Sequence, residues 1–148
     1  MANIDLTYGS VGTHMPATAS GSSYKMRKRI DFAEALEEKG SALASSDVIQ
    51  ALDIPVKHVV VAAVVHPVTA ADATTLTLDV GFASSPEADA DNFVDGFDAT
   101  QTTTDGVPIF SVQGYTTAAT TLDVTLATLT GTLTSGVVDL VAWVVDMS

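Results

Sequence analysis

Three stretches of the chain alternate small polar and apolar residues with a period of two. Thr75-Leu76-Thr77-Leu78-Asp79-Val80 and Thr121-Leu122-Asp123-Val124-Thr125-Leu126 do so strictly, and residues 137–146 follow in a more apolar form. Successive side chains on a strand point to opposite faces, so this spacing predicts antiparallel strands with one buried face. With these stretches lying in strands 73–82, 119–129 and 137–146, others are expected over 24–32, 47–54, 58–66 and 107–113, about seven or eight in all, a count typical of a sandwich or jelly roll. The expected fold is an all-β, antiparallel β-sandwich, jelly-roll-like, with an extended N-terminal arm. The arm is residues 1–23, which mix Gly9, Gly12, Gly21 and Pro16 with Thr, Ser and Ala and have little apolar periodicity; the sandwich domain is 24–148. One helical turn is expected over 33–39, stopped by Gly40, and Pro55 ends the strand before it by withholding a ladder donor.

Two strands depart from the one-sided pattern. In 58–66, Val59, Val61, Ala63 and Val65 fill one face while Val60, Ala62 and Val64 fill the other. In 137–146, Val141, Trp143 and Val145 oppose Val138, Leu140, Ala142 and Val144. A two-layer sandwich covers only one face of each strand, so a second covering surface is expected. Self-association is the simplest source of it, with Val60, Val64, Leu140 and Val144 as the expected subunit interface.

At 148 residues the chain fits one domain with its own core. It has no Cys, so packing rather than disulfides or thiolate metal sites must hold it. Six basic against eighteen acidic residues give a net charge of −12, which argues against nucleic acid and anionic membranes as partners. The longest apolar run, over 59–65, is strand-sized, and no segment suits a membrane span. Four of the six basic residues, Lys25, Arg27, Lys28 and Arg29, cluster on one strand, where an acidic partner would be drawn. Lys28 falls on the apolar parity of that strand and must snorkel to an edge or meet an Asp.

Candidate chemistry is sparse. The acidic run 87–98 is dense in carboxylates, but Gly96 and Thr100 do not stand where a Ca²⁺-binding EF-hand loop needs its Gly and its closing Glu. It reads as a turn-forming surface loop that does not depend on metal. His58 and His66 lie roughly 26 Å apart at about 3.3 Å per residue, too far to share an ion, and His14 has no acidic neighbour. No Gly-x-Ser-x-Gly elbow or phosphate loop is present. No catalytic residue, metal or cofactor is therefore expected, and the protein reads as a non-enzyme.

The segments Arg29-Ile30-Asp31-Phe32, Lys39-Gly40-Ser41-Ala42-Leu43, Asp47-Val48-Ile49-Gln50-Ala51-Leu52-Asp53-Ile54-Pro55, Leu78-Asp79-Val80-Gly81 and Phe93-Val94-Asp95-Gly96 resemble small virion structural proteins of tailed bacteriophages. The resemblance covers residues 24–148. It implies a decoration or cement protein: a β-sandwich, often a trimer, that sits on the outer surface of the phage head and bridges subunits of the major capsid protein. On that reading, Lys25, Arg27, Lys28 and Arg29 are the expected capsid contact. The rival reading is a carbohydrate- or host-cell-binding module, with Trp143 or Tyr115 as a stacking platform and the Asp run holding Ca²⁺.

Overall fold

The alternation seen in the sequence becomes two packed sheets. The structure is a computed structural model that describes residues 1–7, 11–12, 23–83, 89–102 and 118–147. The elements are β1 (Asn3–Asp5), β2 (Val11–Gly12), β3 (Ser23–Asp31), α1 (Phe32–Lys39), β4 (Val48–Ile54), β5 (His58–Thr69), β6 (Thr75–Gly81), β7 (Val94–Asp98), β8 (Thr120–Thr130) and β9 (Val137–Asp146). One sheet runs β1-β4-β8-β6-β7 and the other β2-β3-β9-β5. Every pairing is antiparallel except that of β1 with β4. The protein is an all-β sandwich.

The inward positions interleave between the sheets. Leu122, Val124 and Leu126 of β8 and Leu76, Leu78 and Val80 of β6 meet Ile30 of β3, Val138, Leu140, Ala142 and Val144 of β9, and Val60, Ala63 and Val65 of β5. Each fully buried Leu, Ile or Val contributes about 1.5–3 kcal/mol relative to exposure. The single helix among the described residues adds Phe32 and Ala35 to this core. Asp31 caps its N-terminus by accepting from the Ala33 N–H, and Gly40 ends it in the left-handed conformation that favours glycine.

The first residues are not a free arm. Ile4 and Leu6 are buried in the core, and β1 pairs with Val48 to Gln50 of β4. The docking is reinforced by Asp47, whose carboxylate accepts from Lys39 and from the backbone N–H groups of Ala2 and Ala44. Burial opposes ionisation of Asp47, yet these bonds outweigh it and hold its carboxyl below the usual range. The strand expected over 107–113 and the residues His14 and Tyr115 lie outside the described residues.

Two further elements differ from expectation. β7 occupies part of the acidic run, with Val94 and Phe97 turned into the core. In β5 the register shifts between Val60 and Ala62, so a bulge at Val61 reverses the parity of the remaining strand. Val60, Ala63 and Val65 consequently share the inner face, while Val59, Ala62 and Val64 share the outer one. That places Val60 and Val64 on opposite faces rather than together.

Gly81 marks the tightest point, where β6 ends against the backbone of 89–90. A Cβ there would stand 2.1 Å from the Asp89 carbonyl oxygen and 2.7 Å from the Ala90 carbonyl carbon. Gly81→Ala is therefore expected to cost about 1–3 kcal/mol, as overpacking against rigid backbone does. Urea unfolding should show a lower midpoint with an unchanged slope.

Candidate functional site

Only one side of each sheet can face the core, and the two outer faces have opposite chemistry. On the five-stranded sheet the outward positions include Asp5, Gln50, Asp53, Thr75, Thr77, Asp79, Asp95, Thr121 and Thr125, with Val48 and Asp123 on the same parity but buried. None of the strands in that sheet contains Lys or Arg. Crowding is visible at Asp79. Burial is the main force raising its carboxyl above the ordinary value, a bond from the Gly96 N–H opposes this, and the charges of Asp95 and Asp91 add to the rise.

The outer face of the four-stranded sheet is built from cross-strand rows. Ser23, Val145 and Val59 form one row; Lys25, Trp143 and Ala62 the next; then Arg27, Val141 and Val64; then Arg29, Asp139 and His66. Its centre is apolar, with Val59, Val64, Val141 and Val145 half-buried and Trp143 42 % exposed. One flank is basic. Arg27 donates to Asp139 at 2.6 Å, and Arg29 grips the same carboxylate through Nε at 2.8 Å and Nη2 at 3.0 Å. Asp139 keeps only 8 % of its side chain exposed, while Arg27 and Arg29 keep 50 % and 56 %. The bond from Arg29, against some burial, and then that from Arg27 hold the Asp139 carboxyl below the usual range.

The expected site residues divide accordingly. Lys25, Arg27 and Arg29 lie together on this face, whereas Lys28 is buried at 5 % on the inner parity of β3. Its charge reaches Asp5, whose carboxyl is lowered first by the N–H and hydroxyl of Thr7 and then by Lys28. Of the expected subunit interface, Val60, Leu140 and Val144 are fully buried in the chain's own core and offer no apolar surface to a partner. Val64 alone of the four turns outward. The apolar positions of the opposite parity, Val59, Val141 and Val145, are half-buried, and Trp143 beside them is exposed, as is Val61 in the bulge. The alternation of Trp143 with Ala142 and Val144 is the sequence signal that it lies on the other face.

The remaining candidates are structural. His58 is buried, with Nδ1 2.9 Å from the Val56 carbonyl and its ring edge-on to Tyr24 at 5.9 Å. His66 is exposed opposite Asp139. In the acidic run, Asp98 accepts from the N–H and hydroxyl of Thr100 and closes a turn. Among the described residues no three His, Asp or Glu side chains are grouped to hold a metal ion.

A search of solved structures finds this fold elsewhere. A chain from the capsid of Ralstonia phage GP4 superposes with a TM-score of 0.70 at 17% identity, covering 99% of this chain and 99% of that one. The sandwich is one that occurs in a phage capsid. A chain from the cyanophage Pam1 capsid asymmetric unit matches with a TM-score of 0.60 at 17% identity over 89% of this chain and 91% of that one. At such identities the likeness is one of fold. No family model matches the sequence, and no curated protein does.

The buried carboxylate and the exposed indole can each be tested. The stabilisation carried by Asp139, whose folded value is depressed, is complete at neutral pH. It fades as pH falls from about 5 through the unfolded carboxyl value near 3.9 and is gone below the folded value. Asp139→Asn should therefore be less stable than the wild type at pH 7, with the difference shrinking between about pH 5 and 3 in thermal melts. Trp143 is the single Trp of the chain, so its fluorescence reads this face directly. In the free protein it should emit as a partly solvated indole and be quenched by acrylamide; a buried spectrum would mean that the face is already covered.

Proposed function

We propose that this chain is a structural protein of a tailed-phage head, a decoration or cement protein that binds the outer shell and bridges subunits of the major capsid protein. The observation that carries the proposal is the end-to-end match of fold and length with a chain of the GP4 capsid, 99% of each being covered. A single sandwich that coincides with a whole capsid chain suits a subunit bound as a unit better than a module excised from an enzyme. The resemblance of residues 24–148 to small phage virion proteins points the same way.

The chemistry fits that role. A net charge of −12 disfavours a place beside packaged DNA, and an uncovered apolar face flanked by basic residues supplies an attachment surface. A trimer is the assembly this reading favours. A gain of about 1.4 kcal/mol at each seam tightens binding there roughly tenfold, and many seams must fail together before a shell opens.

The exposed ring of Trp143 is what a carbohydrate-binding module would use as a stacking platform. Its neighbours across the sheet are Lys25 and Ala62, with Val141 and Val145 beside it on the same face. A sugar platform needs hydrogen-bonding groups around the ring, and this apolar setting suits a protein surface better.

Heads assembled without the protein should rupture at lower temperature or under milder osmotic shock than complete heads, and adding the purified protein should restore them. Unchanged head stability, with loss of adsorption to host cells instead, would overturn the proposal in favour of the binding module.

A further inference from the structure

We infer that the outer face of the β2-β3-β9-β5 sheet is the surface that seats on the shell, with Trp143 as its anchor, and that the patch it meets is apolar and rimmed with carboxylates. The inference deepens the virion reading above and rests on it.

The first argument is polarity across the sandwich. The outward positions of one sheet carry Asp5, Asp53, Asp79 and Asp95, and its strands contain no basic residue. The outward positions of the other gather Lys25, Arg27 and Arg29, half of the six basic residues in a chain of net charge −12. An acidic surface is drawn to the second face and repelled by the first, so charge alone sets which side approaches.

The second argument is how the basic flank is held. Asp139 takes one donor from Arg27 and two from Arg29, which fixes both planes above β9. A guanidinium carries five N–H donors, and roughly half of each side chain remains exposed to engage a second carboxylate. Two arginines share one acid, so the row stays cationic. Beside it stand Trp143 and the valines of β5 and β9, the pairing of aromatic anchor and arginine that dominates binding energy at protein interfaces.

The third argument chooses among occupants. A second copy of this chain offers a matching charge on its other sheet, but the outward side chains there are Asp, Asn, Thr and Gln apart from Val48, which is itself buried, so no exposed apolar row receives Trp143. Nucleic acid is disfavoured by the net charge and by the valine-lined centre of the face. A different protein that presents apolar surface inside a ring of Asp or Glu satisfies both the charge and the stripe.

The test uses the full-length protein and phage heads assembled without it, in a co-sedimentation titration. Trp143→Ala and Lys25→Glu, both at exposed positions, should each weaken binding at least tenfold while melting as the wild type does. Asp53→Asn and Asp95→Asn on the opposite face should bind as the wild type. Wild-type binding should weaken as salt is raised. If the wild type binds heads and Trp143→Ala and Lys25→Glu bind equally well, the docking face is wrong and the virion reading stands. If the wild type binds no heads, the virion reading itself fails. If the two substitutions instead abolish self-association in sedimentation velocity and leave head binding intact, the occupant is a second copy and the inference is overturned.

Discussion

A pleated strand inside a sheet must present half of its side chains to each side, and in β9 both halves are largely apolar. β9 lies between β3 and β5, so it has no edge on which to hide either set. Val138, Leu140, Ala142 and Val144 enter the core, and that commits Val141, Trp143 and Val145 to the opposite surface. β5, paired alongside, repeats the problem with Val59, Ala62 and Val64. The core and the apolar outer face are thus two consequences of one backbone constraint.

The five-stranded sheet meets the same constraint differently. Its strands alternate Leu or Val with Thr or Asp, so one side packs and the other is polar, although Val48 and Asp123 on that outer side are buried. The sandwich therefore has one polar outer side and one whose apolar rows stay partly exposed. Because the acidic residues follow the first and the exposed basic residues the second, chemistry and charge are polarised along the same axis.

The acidic residues are not merely a solvated coat. Asp31 caps the helix, Asp47 ties residue 2 to the helix end, and Asp72 accepts from the Thr134 and Ser135 backbone N–H groups to close the approach to β9. Asp79 holds the Gly96 N–H and Asp98 closes the turn after β7. Each offers a fixed acceptor to backbone groups at the ends of strands, where the ladder itself provides none. In a chain without disulfides, the ties made by Asp47, Asp72 and Asp79 connect distant segments.

Local pattern by itself determined the class of the fold, most strands, the helix stopped at Gly40 and the basic cluster on β3. It missed β7, because Asp95 and Gly96 are turn formers that only pairing with β6 makes a strand, and β1, because three residues carry no period until β4 lies beside them. It also showed that β5 and β9 were apolar on both faces but named the buried set as the exposed one. Periodicity states which side chains share a face; it does not state which face looks inward when both are apolar. That was decided by where the second sheet lies, and in β5 by a bulge at Val61 that carries Ala63 and Val65 to the side of Val60. Both are tertiary facts, since a face becomes an interior only when something else is packed against it.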